Sequence, residues 1–104
     1  MTPPKPKSGL QKQVLSLYRR ALRMTGTKPQ ATRPKFLLFF RYTFRTNAKQ
    51  ISPRNVSFIE HLIRKGTRQI ESFEDSAVKD CWVSEEMVRW NEEWKSAAQR
   101  TRTT

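Results

Sequence analysis

Ser8-Gly-Leu-Gln-Lys-Gln-Val-Leu-Ser-Leu-Tyr-Arg-Arg-Ala-Leu-Arg-Met-Thr-Gly26 decides the fold. Ser8 and Gln11 stand at capping-box spacing, where each side chain satisfies the other's backbone donor. Leu10, Val14, Leu17, Tyr18, Ala21, Leu22 and Met24 then recur at steps that keep most of them on one helical stripe. Lys12, Arg19, Arg20 and Arg23 fall largely off its centre. Gly26 is a natural stop, so the pattern predicts a helix over 9–25. Upstream, residues 1–7 hold three prolines and read as a flexible arm.

Downstream the pattern repeats with different residues. Pro34 suits the first turn of a second helix, over 34–47, where a missing N–H costs nothing. Phe36, Phe40 and Phe44 recur every four residues with Leu37 beside them and Arg41 and Arg45 alongside. Phe36–Phe40 also has strand propensity, but its spacing favours the helix. Ser52-Pro53 reads as a cap followed by a first-turn proline, with Ile51 stapled to Val56, and starts a third helix over 53–75. Its stripe is Val56, Ile59, Leu62, Ile63, Ile70 and Phe73. Gly66 interrupts it, at a cost of about 1 kcal/mol relative to Ala, and admits a close neighbour. After a break at 80–83, Ser84 caps a fourth helix over 84–99, with Glu85 and Glu86 near its positive end and residues 100–104 fraying. Trp90 and Trp94 share one face, which either covers the bundle or forms a docking edge.

The expected fold class is therefore all-α: a small three-helix bundle with an additional C-terminal helix. The organisation is a basic arm at 1–7, a helical domain at 8–75 and an extension at 76–104. A chain of 104 residues, 36% hydrophobic, supports one modest core. Its longest apolar run, Phe36–Phe40, is five residues, against the ~20 needed to span a bilayer. The net charge is +12, and residues 1–59 carry thirteen Lys and Arg with no Asp or Glu. Such a cation suits nucleic acid, an anionic membrane or an acidic protein. It is also the composition of a mitochondrial targeting region; no secretory signal is apparent.

Catalytic groups are scarce. His61 and Glu60 are helix neighbours and do not face each other. Cys81 is the lone cysteine, so neither a disulfide nor a metal site is expected. Glu85, Glu86, Glu92 and Glu93 read as a solvated helix face. No phosphate loop or nucleophile motif occurs, and no cofactor or enzymatic activity is expected. Arg41, Tyr42, Phe44 and Arg45 interleave charge with rings as a nucleic-acid binder does, although Phe at i, i+4 and i+8 is more often core.

Leu17-Tyr18-Arg19 on a basic first helix, with Phe44-Arg45 on the second, resembles the LYR-motif family of mitochondrial proteins. The similarity runs through residues 10–73 and includes Ile59-Glu60-His61-Leu62-Ile63-Arg64-Lys65-Gly66-Thr67-Arg68-Gln69-Ile70. Within the family it is closest to members that assemble respiratory complex II. The resemblance implies a non-enzymatic chaperone of the mitochondrial matrix that binds the iron–sulfur subunit of succinate dehydrogenase and promotes cluster insertion and protection. It makes Leu17, Tyr18 and Arg19 the dock for the iron–sulfur cluster transfer chaperone. Arg19, Arg20, Arg23 and Arg45 would face an acidic partner, with Phe44 beside them. Arg64 and Gly66 would support the client, and an acylated acyl carrier protein is a further partner. On this reading, alanine at all three motif positions leaves the fold largely intact. The alternatives are a basic nucleic-acid-binding module, a LYR factor serving another respiratory complex, and, with less support, a peripheral membrane protein.

Overall fold

Four helices follow one another among the described residues of the computed structural model: α1 (Gly9–Gly26), α2 (Arg33–Gln50), α3 (Val56–Glu74) and α4 (Glu85–Arg102). Residues 9–102 are described, with side chains as far as Gln99, and no strand occurs among them. The arm at 1–7 and the capping role of Ser8 lie outside the described residues.

α1 is the shared partner, packing on both α2 and α3, while α4 packs on α2. The core takes Leu17, Ala21 and Met24 from α1, Phe36 and Phe40 from α2, and Ile70 from α3. These are residues of the three apolar stripes, buried because each stripe needs cover from water. α2 and α3 meet through rings, with Phe36, Phe39 and Phe40 surrounding Phe73 at centroid distances of 5.7, 5.8 and 5.8 Å. Edge-to-face and tilted pairs of this kind favour the ring quadrupoles. The shortest extent of the molecule is 24 Å, about two helix diameters.

Four helix ends differ from expectation, and the first three do so for a local reason. α1 runs to Gly26, but no glycine among the described residues has a positive φ. The helix stops instead in a tight turn, with the Thr27 and Lys28 amides bonded to the Met24 and Thr25 carbonyls. Pro29 then disfavours helical geometry at Lys28. α2 continues three residues past 47, because Ala48, Lys49 and Gln50 are good helix formers. α3 begins at Val56, and Ser52-Pro53 is not its start. The Asn55 amide donates to the Ser52 carbonyl at 3.0 Å, closing a turn with Pro53 in the second position, which its fixed φ suits. Asn55 is the true cap, its side chain accepting from the Phe58 amide at 3.3 Å. Val56 is thus the first helical residue and 47% exposed, so the staple to Ile51 loses its geometry. Ser84 caps α4 as expected, accepting from the Met87 amide at 3.2 Å, and the helix runs on to Arg102, past the expected end at 99, with 103–104 outside the described residues.

The segment 75–84 crosses from the end of α3 to the start of α4 and is tacked down by side chains from one stretch. The Lys28 ammonium, only 4% exposed, donates to the carbonyls of Asp75 (3.1 Å) and Val78 (2.6 Å) and sits 5.3 Å from the Phe36 ring centre. Thr32 precedes α2 as a cap would, yet its hydroxyl donates to the Lys79 carbonyl at 2.6 Å. Lys35 pairs with Asp80 at 3.3 Å.

Candidate functional site

The tripeptide Leu17-Tyr18-Arg19 splits three ways, as successive positions on a helix must, since each turns about 100° from the last. Leu17 is buried. Across from it lies Gly66 of α3, where an added Cβ would stand 3.2 Å from Leu17 Cδ2. The glycine interrupting the third stripe is therefore what lets Leu17 seat against α3. Tyr18 is half-buried, its ring tilted at 55° on Phe44 with centroids 5.0 Å apart. Arg19 is exposed. Within the tripeptide, Leu17 is thus a core residue that packs on α3, Tyr18 lies at the edge of the bundle and Arg19 stands in solvent.

The remaining expected site residues divide between free and occupied. Arg23 and Arg64 are exposed. Arg20 is held by its own chain: Nε and Nη2 donate to Glu74 Oε2 (3.1 Å) and Oε1 (2.6 Å), with Glu71 at 4.0 Å. Arg45 is exposed at its edge but its guanidinium lies 5.1 Å from the Trp94 ring centre. The structure thus brings together Leu17 with Gly66 and Tyr18 with Phe44. It sets Arg45 on the α4 side of α2.

A groove of about 420 Å³ opens between α1 and α3 beside the motif. Leu17 and Ile63 give it an apolar floor, and Lys12, Arg20 and Arg23 give it a cationic rim, with no carboxylate among its lining residues. Its polar wall includes Gln13, Ser16 and Thr67, none of which the sequence reading singled out. The i, i+4 spacing of Gln13 to Leu17 and of Ile63 to Thr67 was the available signal. Among the described residues no group of three or more His, Cys, Asp and Glu comes together as a metal would require. His61 lies flat on Phe58, 6.3 Å between ring centres, and burial pushes the Cys81 thiol up, away from thiolate reactivity.

Glu74 is the acid that Arg20 grips most closely, and its fork with Arg20 has a pH signature. Hydrogen bonding from Arg20 holds the Glu74 carboxyl below the ordinary carboxylate range against partial desolvation, with the Arg20 and Arg23 charges adding to the effect. A lowered folded-state value means that the pair stabilises the fold at neutral pH and is lost as pH falls through that value. Glu74→Gln is expected to lower the thermal midpoint slightly at pH 7 and not at all at strong acid, with the difference shrinking in high salt because both partners are solvent-screened. Parallel melting curves of variant and wild type across pH 3–7 would refute the pairing.

The LYR family model, described as "Complex 1 protein (LYR family)", matches residues 12–72, which includes all of α2 and most of α1 and α3. The chain is 42% identical over 77 residues to "Succinate dehydrogenase assembly factor 1, mitochondrial" of Schizosaccharomyces pombe, covering 74% of this chain and 96% of the relative. The Saccharomyces cerevisiae protein of the same name is 37% identical over 70 residues (67% and 87%). "Succinate dehydrogenase assembly factor 1A, mitochondrial" of Dictyostelium discoideum is 41% identical over 69 residues (65% and 76%). No solved structure gives a significant match. With its motif seated between two helices of the matched region, the chain belongs to the LYR family.

Proposed function

We propose that the chain is a mitochondrial assembly factor for succinate dehydrogenase, respiratory complex II, and that it works in the matrix by contact rather than catalysis. It holds the iron–sulfur subunit while clusters are inserted and protects that subunit from oxidation. The observation that carries this reading is similarity across 96% of a relative bearing that name, at 42% identity. In this mechanism Leu17 acts from inside the bundle, setting α1 against Gly66 so that Tyr18 and Arg19 are presented to the cluster transfer chaperone. Arg23 and Arg64 supply further exposed positive charge for the client, which steers encounter and fixes register. The α1–α3 groove offers an apolar floor and cationic rim to an acylated acyl carrier protein, a second partner. No described helix is long and apolar enough to cross a membrane.

A tagged pull-down from nuclease-treated matrix extract at moderate salt, read by mass spectrometry, tests the assignment. Enrichment of the iron–sulfur subunit is the expected result. Arg19→Glu should weaken chaperone binding about tenfold, or ~1.4 kcal/mol, without lowering the melting temperature. Recovery of a different respiratory subunit would move the client, and recovery of nuclease-sensitive ribosomal material alone would overturn the assembly role.

A further inference from the structure

α4 begins thirteen residues beyond the end of the family match at residue 72, yet it is seated on a defined face of α2. Trp90 and Trp94, one turn apart, stack at 6.5 Å and cover Arg41, Tyr42 and Arg45. The Arg41 and Arg45 guanidiniums lie 5.5 and 5.1 Å from the Trp94 ring centre, within cation–π range. Tyr42 meets Trp90 edge-on at 5.6 Å. Desolvation, with Glu86 beside it as charge and hydrogen-bond partner, pushes the Tyr42 phenol up.

Charge follows the same division. α2 carries five basic residues and no acid, whereas 85–94 holds four glutamates against one arginine. Despite this match, no described side chain of α4 lies in the buried core, and Val88 and Trp94 remain 41% and 38% exposed. It is a surface helix held by rings and charge. The face it covers adjoins the Tyr18–Phe44 pair, because Arg41 precedes Phe44 by three positions, about one turn of α2.

We infer that the Arg41–Tyr42–Arg45 face of α2 is a docking face for an acidic helix bearing two aromatic side chains one turn apart, and that α4 is the chain's own occupant, which such a partner displaces. The inference stands whichever protein is the client. The connection 75–84 keeps α4 at high effective concentration over its seat, so a partner in trans binds weakly until α4 is loosened.

The probe is a fluorescent peptide of residues 84–102, titrated into the full chain and read by anisotropy. Trp90→Ala/Trp94→Ala, which vacates the seat in cis, is expected to bind it at least about tenfold more tightly than wild type. Adding Arg41→Gln/Arg45→Gln should abolish that gain. Circular dichroism should show the double variant losing no more helix than α4 contributes, since the core residues are untouched. Equal binding by wild type and double variant would overturn the inference, as would a gain that survives loss of both arginines. Collapse of the whole bundle in the double variant would show that α4 is structural and overturn it equally.

Discussion

Leu17→Ala/Tyr18→Ala/Arg19→Ala is expected to melt far below wild type, and the loss will come almost wholly from the first two positions. Leu17 is 8% exposed and packs in the core against the Gly66 backbone, so its truncation leaves a cavity costing ~2–5 kcal/mol. Loss of the Tyr18–Phe44 ring pair adds about 0.5–1.5 kcal/mol. A domain of this size has only about 5–15 kcal/mol in total, so the triple variant is left marginal. This reverses the expectation that the tripeptide can be removed with the fold intact. Weakened partner binding by the triple variant therefore says nothing of docking unless Arg19→Glu, which leaves the core alone, weakens it too. Thermal melting followed by circular dichroism decides the point: a triple variant melting within a degree or two of wild type would place Leu17 outside the core.

Phe36→Ala should be comparably damaging by a different route. Phe36 is fully buried, meets Phe73 edge-on at 5.7 Å, and lies under the Lys28 ammonium. Truncation costs ~3–5 kcal/mol from lost burial and the residual cavity. For an m value of ~2 kcal/mol/M, the urea midpoint falls by roughly 2 M. Phe36→Leu, which keeps most of the volume, should recover much of that. A shift below about 0.5 M for Phe36→Ala would mean that the α2 phenylalanines are not the centre of the bundle.

What was legible in the sequence was whatever repeats with a helical period. The Phe36, Phe40 and Phe44 spacing placed α2 correctly and put its first two members in the core, and Ser84 announced α4. The start of α3 was misread because Ser-Pro suits both a helix cap and a tight turn, and Asn55 two residues later completes the turn and caps the helix. The site was legible as a tripeptide but not as an arrangement. That Gly66 faces Leu17, or that Glu74 takes Arg20 across 54 residues, depends on how two helices cross, which no local pattern encodes. Trp90 and Trp94 left cover and docking edge equally open, and they lie over α2 with Trp94 still partly in solvent.

The crossing segment carries one further consequence. Lys28 is buried only because the backbone of 75–78 lies over it, whereas Lys12 and Lys35 stand exposed on the same molecule. An amine-reactive reagent can acylate Lys28 only when that backbone lifts, while the exposed lysines react at once. The lag between the two populations is a chemical clock for local opening, readable by peptide mass and independent of any partner.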